Sequence, residues 1–372
     1  MSISKDPNFE RKKIDLSIGD PVNEPTPSIF VKKLCNAHQS VETARYAPKT
    51  GLRELKNACA EMYYEDHDIR LNPEANICIT HGGWDGIVLV LSALKRFSGI
   101  TKVGIVIPCF FGFFTILKGQ NLDLIQIDMS AICGSDEDLD KIFSQLKGQA
   151  FIQVNPHNPT GKIFTPEPNR AIARACRKHD VIFISDFVYK DIYGGRKPES
   201  ALEYAPEAIE INSFTKSFCM AGQRIGYIAG MGNYMAQISD HASCTYNGVS
   251  VATQQAAAHL LRNRAEPVEK FRSKITARRE YISKELANLG FQVDLDFFNL
   301  GTNFVWAGIS NLFASSDDAI EQFAQVGVQV MSGLRCGNLG EGYLRFALNY
   351  DIPILEEATA RITQIVKSPV VI

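Results

Sequence analysis

No Cys-x-x-Cys pair occurs in the sequence, and its nine cysteines are scattered and odd in number. That pattern argues against a disulfide frame or a thiolate zinc site and fits reduced thiols in a cytosolic protein. Cys109, Cys219 and Cys244 fall close to the motifs described below and are expected to be buried, inert thiols. No apolar run approaches the length of a membrane-spanning helix, and the N-terminal stretch MSISKDPNFERKK lacks the apolar core of a secretion signal. An excess of one charge is missing too. With 39 basic and 41 acidic residues the net charge is −2, which gives no electrostatic case for nucleic acid or an anionic membrane as partner. Internal repeats and low-complexity tracts are likewise absent.

What is present is an ordinary globular composition, 45% hydrophobic and 22% charged over 372 residues. That length exceeds one usual core, so one large and one smaller domain are expected. Asp15–Pro27, broken by Gly19 and by prolines, reads as an extended arm. Helical patterns follow at residues 28–37 and 51–64, separated by a loop containing Tyr46. Apolar strand-like runs then recur at 76–80, 103–108, 122–128, 150–155, 181–186, 208–214 and 224–230. Most are separated by stretches long enough for a helix, such as 84–97 and 166–179. Continuous apolar strands alternating with helices indicate an α/β fold with a mostly parallel, doubly wound sheet. Ligands of such sheets bind beyond the carboxyl ends of the strands. The last two runs are joined too closely for a crossover helix and should pair antiparallel. Helices at 249–263 and 266–289 follow, the second bridging the domains. A smaller α+β unit then has strands near 303–309, 328–331 and 343–349 and a final helix at 352–366. The expected division is 1–45 as arm and part of the small domain, 46–262 as the large domain, and 263–372 as the C-terminal small domain.

Chemistry-bearing residues gather at the strand ends. Ser213-Phe-Thr-Lys216, followed eight positions later by Arg224, places an amine among hydroxyls with an arginine behind it. This suits Schiff-base formation with an aldehyde cofactor carrying a phosphate, although the stretch alone reads as simply as a turn with a surface lysine. In Asn155-Pro-His-Asn-Pro-Thr-Gly161 two prolines fix the backbone and present the Asn158 amide, and an ordinary Asn-Pro turn is the alternative. Asp186 ends an apolar strand, where a carboxylate needs a partner or serves as a helix cap, and Tyr189 follows one helical turn later. Paired glycines in Thr80-His-Gly-Gly-Trp84 join a strand to a helix and can open backbone amides to an anion, though no Walker lysine follows. Pro108-Cys-Phe-Phe-Gly-Phe-Phe114 offers a ring, Phe110, for stacking on a planar cofactor. Arg345, a cation inside an apolar strand, suits a carboxylate, with a structural ion pair as the alternative.

Taken in order, these pieces resemble the class I/II aminotransferases, fold-type-I enzymes dependent on pyridoxal 5'-phosphate. The resemblance runs from about Leu16 to Arg345 and implies a role for each residue. Lys216 would form the internal aldimine and move the α-proton, which requires an unprotonated amine and so a depressed pKa. Asp186 would pair with the pyridinium nitrogen, Tyr189 and Asn158 with the ring hydroxyl, and Phe110 would stack on the ring. The phosphate would be held by Gly83, Trp84, Ser213 and Arg224. Tyr46 would reach the phosphate of a neighbouring subunit, implying a homodimer with shared sites. Arg345 would grip the α-carboxylate of a small amino-acid substrate, with Asn158 beside it and Gly19 in the arm closing above.

The implied reaction is transamination between an L-amino acid and a 2-oxo acid by way of pyridoxamine phosphate. Elimination, replacement or cyclisation on the same scaffold is the second reading. A regulatory module is the third, disfavoured because no winged-helix segment precedes the motifs. Three acidic residues near the motifs, Asp20, Glu24 and Asp85, suggest a cationic, arginine-like substrate side chain. Phe111, Phe113 and Phe114 are expected to crowd the pocket.

Overall fold

The structure, a computed structural model, describes residues 13–21, 23–245, 247–309 and 312–366. Its strands are β1 (Ile14–Asp15), β2 (Ile77–Thr80), β3 (Lys102–Ile107), β4 (Asp123–Asp128), β5 (Ala150–Val154), β6 (Ile182–Asp186), β7 (Ile209–Ser213) and β8 (Gly226–Ala229). They continue with β9 (Gln292–Val293), β10 (Phe304–Gly308), β11 (Val328–Gln329), β12 (Met331–Ser332) and β13 (Tyr343–Ala347).

Seven of these form one sheet in the order β2-β8-β7-β6-β5-β3-β4. Strands β3 to β7 run parallel, and β8 is antiparallel to both β7 and β2. The short link after Ser213 leaves no room for a crossover, so the chain turns back as expected. Every residue of β5, β6 and β7 is buried, the signature of a sheet covered on both faces. Alternate side chains sort accordingly. Phe151 and Phe183 pack with the helices Arg53–His67, Pro166–Lys178 and Val251–Arg262. Ile152 and Ile184 pack with Gly83–Ser98 and Tyr234–Thr245. Truncating Ile184 to alanine would cost about 2–5 kcal/mol at such a site.

The smaller sheet, β12-β13-β10-β9, is antiparallel and is covered by Ala265–Asn288, Ser316–Gln325 and Ile352–Val366. β1 pairs in parallel with β11, so the arm is anchored to this body. The run expected as one strand at 328–331 is divided. Val328–Gln329 pairs with the arm and Met331–Ser332 pairs with β13, with buried Val330 between them. Two sheets compete for a single extended segment, and the chain serves both. Ser316–Gln325 and Tyr234–Thr245 are helices that the apolar pattern does not single out. All nine cysteines are free, but their burial differs from expectation. Cys109 is buried, Cys219 is half-buried, and Cys244 is exposed. Cys244 lies off the Met235, Ile238 and Ala242 stripe that its helix buries. No helix among the described residues is long and apolar enough to cross a membrane.

Candidate active site

Strand register brings distant segments to one edge of the large sheet. Val154 lies beside Asp186, Asp186 beside Ile211, and Gly226 pairs with Ser213 on one side and Thr80 on the other. The loops after β2, β3, β5 and β6 and the β7–β8 connection therefore open together. They line a cleft of about 500 Å³ closed by the arm and by β10, β12 and β13. Gly19, Gly83, Trp84, Phe110, Asn158, Asp186, Tyr189, Ser213, Lys216, Arg224 and Arg345 all face it.

At its floor the Asp186 carboxylate is buried, and its side chain accepts one long bond, from the Val188 amide at 3.4 Å. Burial pushes its pKa up to about 7. Asn158 is a bridge. Its Nδ2 donates to the Tyr189 hydroxyl at 3.1 Å, and its Oδ1 accepts from Arg345 Nη1 at 3.1 Å. Arg345 also donates to the Ser17 carbonyl at 3.0 Å and lies over the Phe304 ring at 3.9 Å. No carboxylate of the described residues pairs with its guanidinium, so it is held by neutral acceptors and an aromatic face.

Lys216 Nζ donates to Asp20 Oδ1 at 2.8 Å and to the Gly19 carbonyl at 3.0 Å. Burial lowers its pKa below the usual lysine range, with Asp20 pulling in the opposite direction. The arm reaches this position because Ala347 N–H bonds Leu16 O at 2.7 Å and Asn303 Nδ2 bonds Gly19 O at 2.9 Å.

Opposite the amine, Gly82 at φ +96° lets the chain turn straight into the helix Gly83–Ser98, whose start no side chain caps. The free amides and positive end of that helix face the Ser213 hydroxyl and the Arg224 guanidinium. Arg224 adopts φ +49° and donates only to the carbonyls of Ala221 and His81, each at 2.9 Å. A non-glycine residue in the left-handed region carries strain that surrounding structure must hold. The arrangement is a cradle for an anion. Phe110 stands at its mouth, edge-on to Trp84 at 6.1 Å between centroids.

Several expectations fail on geometry. Only Phe111 of the three extra phenylalanines reaches the cleft. Phe113 is in the core, and Phe114 packs against it. Glu24 is taken by Lys274 at 2.9 Å and by Arg278, and Asp85 by the His81 amide at 2.9 Å. Asp20 alone of the three carboxylates lines the cleft, where it holds Lys216. In this cofactor-free protein none of these three carboxylates stands free for a cationic side chain. Tyr46 is 87% exposed and lies outside the cleft of its own chain. Conversely, Phe304, Met331 and Arg335 line the cleft without any signal in their local sequence. A wider groove of about 1050 Å³ runs from Glu24 to Lys274. Several of its charges pair with one another, as Arg264 does with Glu65 and Asp66 and Arg272 with Glu269. Among the described residues no cluster of His, Cys, Asp or Glu could hold a metal ion.

Residues 11–362 match the family model for aminotransferase class I and II. An LL-diaminopimelate aminotransferase of Maridesulfovibrio salexigens is 28% identical over 369 residues, spanning 95% of this chain and 91% of the relative. Among solved structures, the aromatic aminotransferase of Pyrococcus horikoshii superposes with a TM-score of 0.85 at 25% identity, covering 95% of this chain and 96% of that one. The aspartate aminotransferase of Thermus thermophilus superposes at 0.86 with 22% identity, covering 95% and 92%; at that identity the likeness speaks to fold alone. Strand order, cleft and family match agree, and the chain belongs to the class I and II aminotransferases, enzymes of the fold-type-I pyridoxal-phosphate class.

Proposed function

We propose that the protein is a pyridoxal-phosphate-dependent aminotransferase that moves an amino group between an L-amino acid and a 2-oxo acid. One observation carries this reading: a buried carboxylate without a cationic partner, Asp186, shares a cleft with a desolvated lysine and an arginine-lined helix start. Each of these groups is left incomplete by the protein and complemented by one part of the cofactor. Asp186 at the floor would hold a protonated ring nitrogen, and Tyr189 and Asn158 would hold the ring hydroxyl. The amides of Gly83 and Trp84, the Ser213 hydroxyl and Arg224 would hold the phosphate, and Phe110 would cover the ring. When bound, the cofactor supplies an electron sink for the pair released at the substrate Cα.

The chain's own residues do the rest. Arg345, fixed by Asn158 and by the Ser17 carbonyl, orients the α-carboxylate through its planar fork. Lys216, as a free neutral amine beside the bound substrate, would be the base that takes the proton from Cα. Its burial favours the neutral amine that this task needs. The arm at Gly19 excludes water above it. Tyr46, exposed on its own chain, would serve the phosphate of a second copy in a homodimer with shared sites. Reduced thiols fit a cytosolic setting.

Borohydride reduction of the protein loaded with cofactor should add the cofactor's mass to the peptide containing Lys216, and Lys216→Ala should abolish that label. With an amino acid and no oxo acid, one equivalent of 2-oxo acid per subunit followed by arrest marks transamination. Continuous product release without an oxo acid would instead mark elimination or cyclisation.

A further inference from the structure

Counting the charges around the cleft leaves one unaccounted for. Four cations line it, Lys216, Arg224, Arg335 and Arg345, against two carboxylates, Asp20 and Asp186. Lys216 holds Asp20. Asp186 lies at the floor with no cation bonded to it. None of the three arginines has a carboxylate partner among the described residues. Under the function proposed above, Arg224 receives the phosphate and Arg345 the α-carboxylate. Arg335 is then surplus.

Its placement is nevertheless defined. Arg335 belongs to the short 3-10 turn Gly333–Cys336, which β12 leads into and which the Cys109 amide ties to the end of β3 through the Cys336 carbonyl at 2.8 Å. Its guanidinium lies 5.0 Å from the centre of the Phe111 ring, on the cleft wall. Stacking of this kind holds the planar fork with its N–H edge free. No hydrogen bond or ion pair engages that edge among the described residues. The apolar side chains Phe110, Phe111, Trp84 and Met331 line the same cleft, and Arg335 itself is exposed, so its fork is open to an anion that enters from solvent. From this we infer that Arg335 is a specificity-determining residue that receives a carboxylate on the substrate's side chain, making acidic amino acids and their dicarboxylic oxo acids the preferred substrates.

This inference rests on the cofactor reading of the cleft, so the test separates the two. Each protein is first checked for the borohydride-trapped mass on Lys216. Binding of unreactive diacids and monoacids of equal length, succinate against butyrate and glutarate against valerate, is then measured by calorimetry on the loaded enzyme. Amine transfer from glutamate and aspartate is compared with that from glutamine and asparagine. The wild type should favour the diacid of at least one pair by about 10- to 100-fold, the range of a charge-assisted hydrogen-bonded contact. Arg335→Ala should remove that preference while changing monoacid binding less than about twofold, since the α-carboxylate contact is untouched. Arg335→Lys should restore part of it, keeping the charge without the fork. In kinetics the loss should fall mainly on KM for the acidic substrates. Equal affinity of the wild type for diacid and monoacid, or an equal loss of both in Arg335→Ala, would overturn the assignment with the cofactor reading intact. Absence of the trapped mass in the wild type would overturn both.

Discussion

A carboxylate buried at the end of β6 with no cation against it makes the cofactor-free protein sensitive to pH. Asp186 is raised from its ordinary 3.8 to about 7 in the native state. Between those values the folded chain binds more protons than the unfolded chain, so stability falls as pH rises through that window and the full penalty stands above it. The linkage amounts to at most about 4 kcal/mol. Asp186→Asn removes the titration. Melting temperatures of the cofactor-free variant should therefore exceed those of the wild type by a margin that grows from pH 4 to pH 7 and then levels. Parallel pH curves would contradict this account. The same variant should bind pyridoxal phosphate more weakly, because its amide cannot supply the charge that holds a protonated ring nitrogen. Asp20 acts in the other direction, raising the pKa of a lysine that burial lowers. In Asp20→Asn the pH midpoint for trapping unphosphorylated pyridoxal on Lys216 should move down, measured by the mass of the reduced peptide.

At the scale of elements, the turn at Gly82 joins strand, helix and anion cradle. A Cβ there would stand 3.0 Å from Arg224 Nη2 on a backbone at φ +96°. Gly82→Ala should cost about 1–3 kcal/mol in strain and displace the guanidinium. Equilibrium titration should show weakened binding of pyridoxal phosphate with little change for pyridoxal, which lacks the phosphate. Such turns were partly legible in the sequence. The strands of the large sheet stood out because burial on both faces demands unbroken apolar runs, and Asp186 and Lys216 stood out as charges at the ends of those runs. The helix Ser316–Gln325 did not, since it buries only Ser316, Ala319 and Phe323, too narrow a stripe to read. Arg335 and Phe304 acquire their meaning from β12 and β10, which reach the cleft only when the smaller sheet docks beside it. Glu24 follows the same rule, since its partner Arg278 is 254 residues away in sequence. Asp85 differs: the His81 amide that it accepts from is four residues earlier, a local contact at the helix start that sequence spacing allows.

For the whole molecule, the exposed Tyr46 makes a prediction that no single chain can satisfy. Tyr46→Ala should impair phosphate retention, and Lys216→Ala should be inactive. With the proposed homodimer, refolding the two together should create mixed dimers in which one site combines an intact Tyr46 with an intact Lys216. Activity of the mixture should exceed that of either variant alone, as measured by oxo-acid release. No gain on mixing would exclude the shared site. A second consequence concerns the order in which the molecule is built. The edge strand β2 has a single sheet neighbour, β8, and Arg224 reaches the His81 carbonyl across 143 residues of sequence. Contacts of such separation close late, after more local strand pairs have formed. During synthesis the Gly82 turn therefore lacks its arginine until β8 has emerged, while the smaller sheet is still to follow. The phosphate cradle is complete only when the large sheet is, so capture of the cofactor should report on a finished large sheet.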